Sequence, residues 1–512
     1  MTASVRRAAR LAWVVPVGLP LVVALLAGLL LRMYGLTAES LWLDEATSLM
    51  LARMDVPTLI EWTSLDIHPP LYYTLLHFWI ALGDGEAMVR GLSLLASVLA
   101  LPVMYGLGRT LFDARTGLVA TLLLAVAPFH IWYAQEARMY AWVTLLLSAS
   151  VLLALLAWQK RHIGLWVAYA LVTAGALYTH YYAVFGILLE NLFFLYFLIK
   201  RRTTARLLVA WCVSQLAVLL IFAPWLPTFL LPLTQGGGGW LAVGPGRPTL
   251  SALANTAVLF TLGNSREMFP ALLRRAGYLL FAGAFLVGLW PGKRSSAEAV
   301  AQESTQAPLY TEREALAFCL LYMALPIGLA WLVSQVGKPM YSARYMLPFL
   351  LPFLLLVARG VRNIPQSVVR GVVLLLLVAV ALFGVQAQVR VADKPDWRGL
   401  AEQLTAQAQE GDLVLFMPGW HAKPFVYYAQ GVLAVCDDVP VPVGTYGDEA
   451  LQAVAEAIEG RARVWLVWEE GHYTDPQGAV KEYLAGHMQP TYAARMPQVG
   501  QVILYERIAG EN

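Results

Sequence analysis

LAWVVPVGLPLVVALLAGLLL, residues 11–31, is twenty-one residues without a charge, and Arg6, Arg7 and Arg10 stand before it. A helix of this length crosses the roughly 30 Å hydrocarbon core of a bilayer. A cleavable signal peptide has a shorter apolar region and a small-residue cleavage site, so the run reads as an uncleaved first span. Ten further apolar runs follow: Met88–Gly108, Thr116–Ala134, Met139–Trp158, Ile163–Leu177, Ala183–Ile199, Leu207–Leu230, Ala271–Leu289, Ala315–Val333, Tyr341–Ala358 and Gly371–Val385. The fold expected is an α-helical polytopic membrane bundle of about eleven spans, with the pair around His130–Met139 open to being one broken element. Composition agrees. Hydrophobic residues make up 59% and charged residues 13%, half the share of about 25% usual in soluble proteins. Disorder, a collagen-like fibre and a disulfide scaffold are excluded. A net charge of +3 leaves no nucleic-acid footprint. Cys212, Cys319 and Cys436 form no CxxC pair.

Basic residues orient the bundle. Arg109/Arg115, Lys160/Arg161, Lys200–Arg202 with Arg206, Lys293/Arg294 and Arg359/Arg362/Arg370 fall in alternate loops, on the side of the N-terminus. Positive charge stays cytoplasmic, so the N-terminus is expected inside the plasma membrane and, after an odd number of spans, the C-terminus outside. From residue 388 the chain carries 9 basic and 17 acidic residues, against 27 and 16 before it. Strand-like runs Asp412–Met417, Arg463–Trp468 and Gln501–Glu506 alternate there with helical stretches Trp397–Ala408 and Glu449–Ile458. That pattern predicts a C-terminal extracytoplasmic α/β domain. The division expected is 1–387, the transmembrane part with a first outer loop at about 34–85, and 388–512.

Ionisable groups at a membrane boundary are costly and point to function. The first outer loop holds SLWLDEATSLM (40–50) and DIHPPLYYTLLHFW (66–79). Asp44 and Glu45 suit a general base near the membrane surface, and equally a helix-capping acid pair. Asp66 and His68 precede the stiff Pro69-Pro70 turn; His68 beside an acid suits a metal ligand with its orienter, or a plain loop hydrogen bond. FHIWYAQEARMYAW (129–142) places Glu136, Arg138 and Tyr140 at another outer boundary, as a site or as an aromatic belt with a local ion pair. KPMYSARYMLP (338–348) sets Lys338, Tyr341, Arg344 and Tyr345 on the side where cations are scarce. A guanidinium there fits a phosphate bidentately, or snorkels to lipid head groups. His180 in LYTHYYAV (177–184) is a further, lesser candidate.

The order LWLDE, HPPLYY, QEARMYA and SARYMLPFLLP resembles the family 39-like glycosyltransferases of the GT-C superfamily, related to the protein O-mannosyltransferases and the lipid A aminoarabinose transferases. The resemblance covers about Leu11–Val385, and the tail from Asp396-Trp397-Arg398 is similar to the extracytoplasmic domain of many bacterial members. It implies a polyprenyl-phosphate-linked sugar donor used on the outer face, and a glycan, lipid or protein acceptor. It implies Asp44 as catalytic acid/base, with Glu45 and Glu136 in the same machinery. Asp66, His68, Arg138, Tyr140, Lys338, Tyr341, Arg344 and Tyr345 are then expected to bind the donor and its phosphate. Some relatives bind a divalent metal ion, for which His68 is the best single ligand, although no fixed-spacing ligand cluster accompanies it. The competing class is a transporter or flippase of lipid-linked sugars. Transport would place charged or helix-breaking sites near mid-membrane in both halves, whereas these candidates gather at one face.

Overall fold

A computed structural model describes residues 3–200, 203–234, 246–290, 310–337, 339–391, 393–430, 433–436, 448–469, 475 and 477–507. All eleven apolar runs are helical. Among the described residues, seven helices are long and apolar enough to cross a membrane, from Glu86–Leu111 to Ser367–Arg390, and a bent pair makes an eighth. Of the other three runs, the first lies in helix Ala3–Met33, of which Gly18–Met33 enters that count, and two fall in the shorter apolar helices Ile163–Thr179 and Ala183–Ile199. Length alone therefore counts seven or eight spans where about eleven were expected.

The chain forms two compact units, both assembled from separate stretches. The first comprises 1–34, 56–75 and 90–391, and the second 35–55, 76–89 and 392–512. Two pieces of the first expected loop thus belong to the same unit as the C-terminal tail.

In the first unit, helix starts are marked by side chains. Asp113 accepts from the N–H groups of Arg115 and Thr116 and opens Ala114–Val126. Thr311 and Glu314 form a reciprocal capping box on Glu312–Val336. Pro128 breaks the run 114–134 into Ala114–Val126 and Pro128–Ala134, bent by 59°. Ala127, the residue before proline, is extended at φ −65° and ψ 113°. Such a break strands carbonyls in a medium without water. Arg32, fully buried, donates to Leu124 O at 3.2 Å and Ala125 O at 3.0 Å, and Gln388 donates to Pro128 O at 3.0 Å. Helices Ala271–Leu289 and Leu350–Asn363 meet backbone to backbone: a Cβ on Gly360 would collide with Ala284 O, and one on Gly288 with Leu356 O. Small residues four apart permit such close approach in membranes.

The second unit contains a five-stranded sheet of order β2-β1-β3-β5-β4, with β1 Leu413–Met417, β2 Ala434–Cys436, β3 Arg463–Trp468, β4 Met488–Met496 and β5 Gly500–Arg507. β1 runs parallel to β2 and β3, while β5 is antiparallel to β3 and β4. Alternate residues of β1 feed two cores. Val414 and Phe416 pack with Trp397, Leu404 and Phe425, while Leu415 and Met417 pack with Val454, Leu466 and Leu484. Burial on both faces explains why β1 and β3 are unbroken apolar runs.

Replacing Gly360 by leucine is expected to abolish recovery of monodisperse protein in detergent or to lower its melting temperature sharply. Gly283→Leu, where an added Cβ meets open space, should leave both unchanged. A wild-type melting curve for Gly360→Leu would refute the close helix contact.

Candidate active site

Most of the expected site residues converge in the first unit. The turn 135–139 separates helices Pro128–Ala134 and Tyr140–Lys160. It holds two ionisable side chains nearly out of solvent, Glu136 at 4% and Arg138 at 5% exposure. Trp132 Nε1 donates to Glu136 Oε1 at 2.8 Å. Arg138 Nη1 donates to the Tyr73 hydroxyl at 3.3 Å, and Ser93 Oγ donates to the Arg138 carbonyl at 2.9 Å. Tyr72 OH lies 3.0 Å from Ser93 Oγ. The tyrosines that follow the two prolines therefore brace the acid–arginine turn.

His68 is buried, with Nδ1 3.8 Å from Asp66 Oδ2, an ion-pair separation rather than a hydrogen bond. Burial, the largest influence on the Asp66 carboxyl, pushes its pKa up. The attraction of His68, the Ile67 N–H at 2.7 Å and Arg138 outweigh it, so the carboxyl sits below its ordinary value.

At the centre is His180, between helices Ile163–Thr179 and Ala183–Ile199. Its ring lies 4.7 Å from Tyr345, 5.3 Å from Tyr182, 5.5 Å from His68 and 6.2 Å from Tyr140, centroid to centroid. Nδ1 accepts from the Tyr182 N–H at 3.1 Å, which leaves the proton of a neutral ring on Nε2. That nitrogen is buried and has no hydrogen-bond partner among the described residues. Burial first, and then the nearby charges of His68, Arg138 and Arg344, hold the His180 pKa well below its usual range. The ring is therefore a neutral N–H donor facing a group of cations.

The segment carrying Arg344 is anchored by its backbone. Ser334 Oγ accepts from Met340 N at 3.0 Å and Tyr341 N at 2.9 Å, and the Tyr182 hydroxyl donates to Met340 O. Arg344 sits 5.8 Å from the Tyr345 ring centroid, and it acts electrostatically on both His180 and Tyr133. Glu136 and Tyr140 act on Tyr133 as well. Asp66, His68, Glu136, Arg138, Tyr140, Arg344 and Tyr345 thus belong to one polar constellation. Tyr341 is at its side, hydrogen-bonded to Thr256 at 2.6 Å. Lys338 lies outside the described residues. Thr256 also lines an apolar cavity of about 500 Å³ walled by Leu253, Phe260, Phe285, Ile327 and Phe353.

The remaining two acids, Asp44 and Glu45, belong to the second unit and occupy the first turn of helix Leu43–Ala52. Negative charge is favourable at that end of a helix. Glu45 is fully buried. Its Oε2 lies 3.1 Å from Lys394 Nζ and accepts from the Trp42 N–H at 3.4 Å. Asp44 is half-buried.

The metal expectation rests on His68. Among the described residues no three His, Cys, Asp or Glu side chains come together as a metal site. Among the described residues, His68 therefore has no ligand set around it to hold a metal ion. His180, Tyr182, Tyr72 and Tyr73 belong to the constellation although the sequence singled out only His180, and that as a lesser candidate. Their common signal is tyrosine and histidine gathered at helix ends.

Residues 67–227 match a family model described as dolichyl-phosphate-mannose-protein mannosyltransferase. No curated protein sequence matches the chain significantly. Among solved structures, ArnT from Cupriavidus metallidurans in the apo state aligns with a TM-score of 0.59 at 16% identity, covering 98% of this chain and 99% of that one. ArnT bound to undecaprenyl phosphate aligns at 0.56 and 16% identity, over 96% and 98%. The Archaeoglobus fulgidus oligosaccharyltransferase AglB, in complex with an inhibitory peptide and a dolichol-phosphate, aligns at 0.53 and 13% identity, over 96% of this chain and 74% of that one. Over nearly its whole length this chain thus shares the fold of ArnT and of the archaeal oligosaccharyltransferase AglB, and residues 67–227 carry the likeness to the mannosyltransferase family.

Proposed function

We propose that this protein transfers a sugar, hexosyl or pentosyl, from a polyprenyl-phosphate carrier to an acceptor hydroxyl, with inversion at the anomeric carbon. One observation carries the reading. Arg138, Arg344, His68 and the His180 N–H gather as donors for an oxyanion, and the segment bearing Arg344 is tied through Tyr341 and Thr256 to an apolar cavity. A phosphate on an isoprenoid chain has the matching halves, an anionic head and an apolar tail.

The reaction then runs as a single displacement. Asp44 takes the proton of the acceptor hydroxyl, and the oxygen attacks the anomeric carbon. The bond from that carbon to the phosphate oxygen breaks, and its electron pair leaves with polyprenyl phosphate. Arg344 and Arg138 offset the charge that grows on the leaving phosphate, and preorganised donors of this kind usually supply the largest share of catalysis. The neutral His180 N–H adds a hydrogen bond without a proton to lose. Glu136, held by Trp132, orients the sugar hydroxyls. We place the site on the extracytoplasmic face of the plasma membrane, with the N-terminus cytoplasmic, on the strength of the basic loops.

Purified protein in detergent, with no membrane present, should consume polyprenyl-phosphate sugar in the presence of acceptor and release polyprenyl phosphate. A flippase cannot, so absence of turnover across a panel of sugar donors would favour transport. Asp44→Asn should abolish transfer while the protein still inserts and melts normally; unchanged turnover would remove Asp44 from the role of base. Arg344→Ala should lower kcat by about 10²–10³-fold, the cost typical of a lost oxyanion donor. A change confined to acceptor KM would contradict its assignment to the donor phosphate.

A further inference from the structure

The loop that carries Asp44 is built against the start of the C-terminal tail, residue by residue. Glu39 Oε1 accepts from the backbone N–H groups of Asp393 at 2.5 Å and Lys394 at 3.0 Å. Ser40 Oγ donates to Pro395 O at 2.7 Å and accepts from Trp397 N at 3.1 Å. Leu41 N donates to the Tyr428 hydroxyl at 2.6 Å, and that hydroxyl in turn bonds Glu86. Arg398 grips both oxygens of Glu86, at 2.7 and 2.6 Å. The stitching ends where the helix 43–52 begins. There Lys394, 8% exposed, meets Glu45, 0% exposed.

A buried pair of this kind adds little net stability, because desolvating both ions offsets their attraction. Its effect is on geometry. Glu45 Oε2 bridges the lysine and the Trp42 N–H. The first helical turn, with Asp44 one residue away, is thereby fixed in rotation and depth. Removing the lysine alone would take a cation 3.1 Å away from a fully buried carboxylate, which favours opening of the turn to hydrate it.

We propose that Lys394 is a positioning residue for the transfer reaction: through Glu45 it holds the Asp44 carboxylate at its place, and Glu45 serves in that clamp rather than touching substrate. The tail is on this view part of the catalytic apparatus, since it supplies the cation that fixes the base. The inference rests on Asp44 being the base.

The test compares Lys394→Met, the double variant Glu45→Gln/Lys394→Met, and Asp44→Asn. For each, undecaprenyl phosphate bound per mole of protein is counted in the same detergent sample. Lys394→Met is expected to lower kcat by about 10²-fold, as an ångström-scale misplacement does. Donor KM and the number of carrier sites should not change, because the donor groups lie in the other unit. The double variant is expected to recover at least tenfold of that loss, since the neutral amide still accepts from the Trp42 N–H and leaves no buried charge. If Lys394→Met keeps kcat within twofold while Asp44→Asn is inactive, the clamp is refuted and the base stands. If Lys394→Met loses carrier sites in proportion to rate, the lysine serves only the fold and the proposal fails. If Asp44→Asn turns over normally, the assignment of the base fails first, whatever Lys394 does.

Discussion

A bilayer interior offers no hydrogen bonds, so a helix may break inside this bundle only where other side chains take over its stranded carbonyls. The break at Pro128 meets that condition. Arg32 reaches Leu124 O and Ala125 O, as well as Gly28 O, Ser97 and His130. A carbonyl left bare in hydrocarbon costs several kcal/mol, and an arginine without a carboxylate partner is itself expensive to bury. Each solves the other's problem: five acceptors surround the guanidinium, and the guanidinium caps the break. The consequence is positional. The redirected helix ends at Ala134 and delivers Glu136 and Arg138 in a tight, buried turn, in place of a continuous span through that depth.

Around that turn the polar groups are sorted by what burial permits. Cations and neutral donors gather in the first unit, where Arg138, Arg344, His68 and His180 face Glu136 and Asp66. Histidine suits this company because it gives up its charge and keeps a donor. Its Nδ1 is committed to the Tyr182 N–H, so the Nε2 proton is fixed in direction. Tyrosines 140, 182 and 345 fill the space between, with ring centroids 4.7 to 6.3 Å from their neighbours in the group. They give large apolar faces with polar tips, which suits the lipid-linked sugar proposed as donor.

Much of the fold is legible in the sequence because its signals are local. Every apolar run is helical, and the runs DLVLFM and RVWLVW are strands because both faces of the central sheet are covered. Two strands escape the pattern. β2 is only three residues long, and β4 carries Pro490 and exposed alternate residues, as an edge strand tolerates. Span number is less legible, because the apolar helices Ile163–Thr179 and Ala183–Ile199, of 17 residues each, satisfy composition but not length. The site is legible as motifs and illegible as partnerships. Glu136 and Arg138 are two residues apart and visibly a pair. The bond from Leu41 to Tyr428 joins residues 387 apart, and nothing in either stretch announces the other. Glu45 shows the limit most clearly: next to Asp44 in sequence and equally acidic, it differs in burial, which only tertiary structure sets.

That difference bears on how two adjacent carboxylates divide their work. Side by side and both exposed, two carboxylates repel each other. Here Glu45 is committed to Lys394 and the helix N-terminus, so its charge is spent inside the protein and its geometry is frozen. Asp44, at the same turn, is only half-buried. A costly buried ion pair sits here in place of a well-packed apolar contact of the same volume. An apolar pair would be at least as stable, but it would present no acceptor to the Trp42 N–H and would leave the first turn of the helix free to fray.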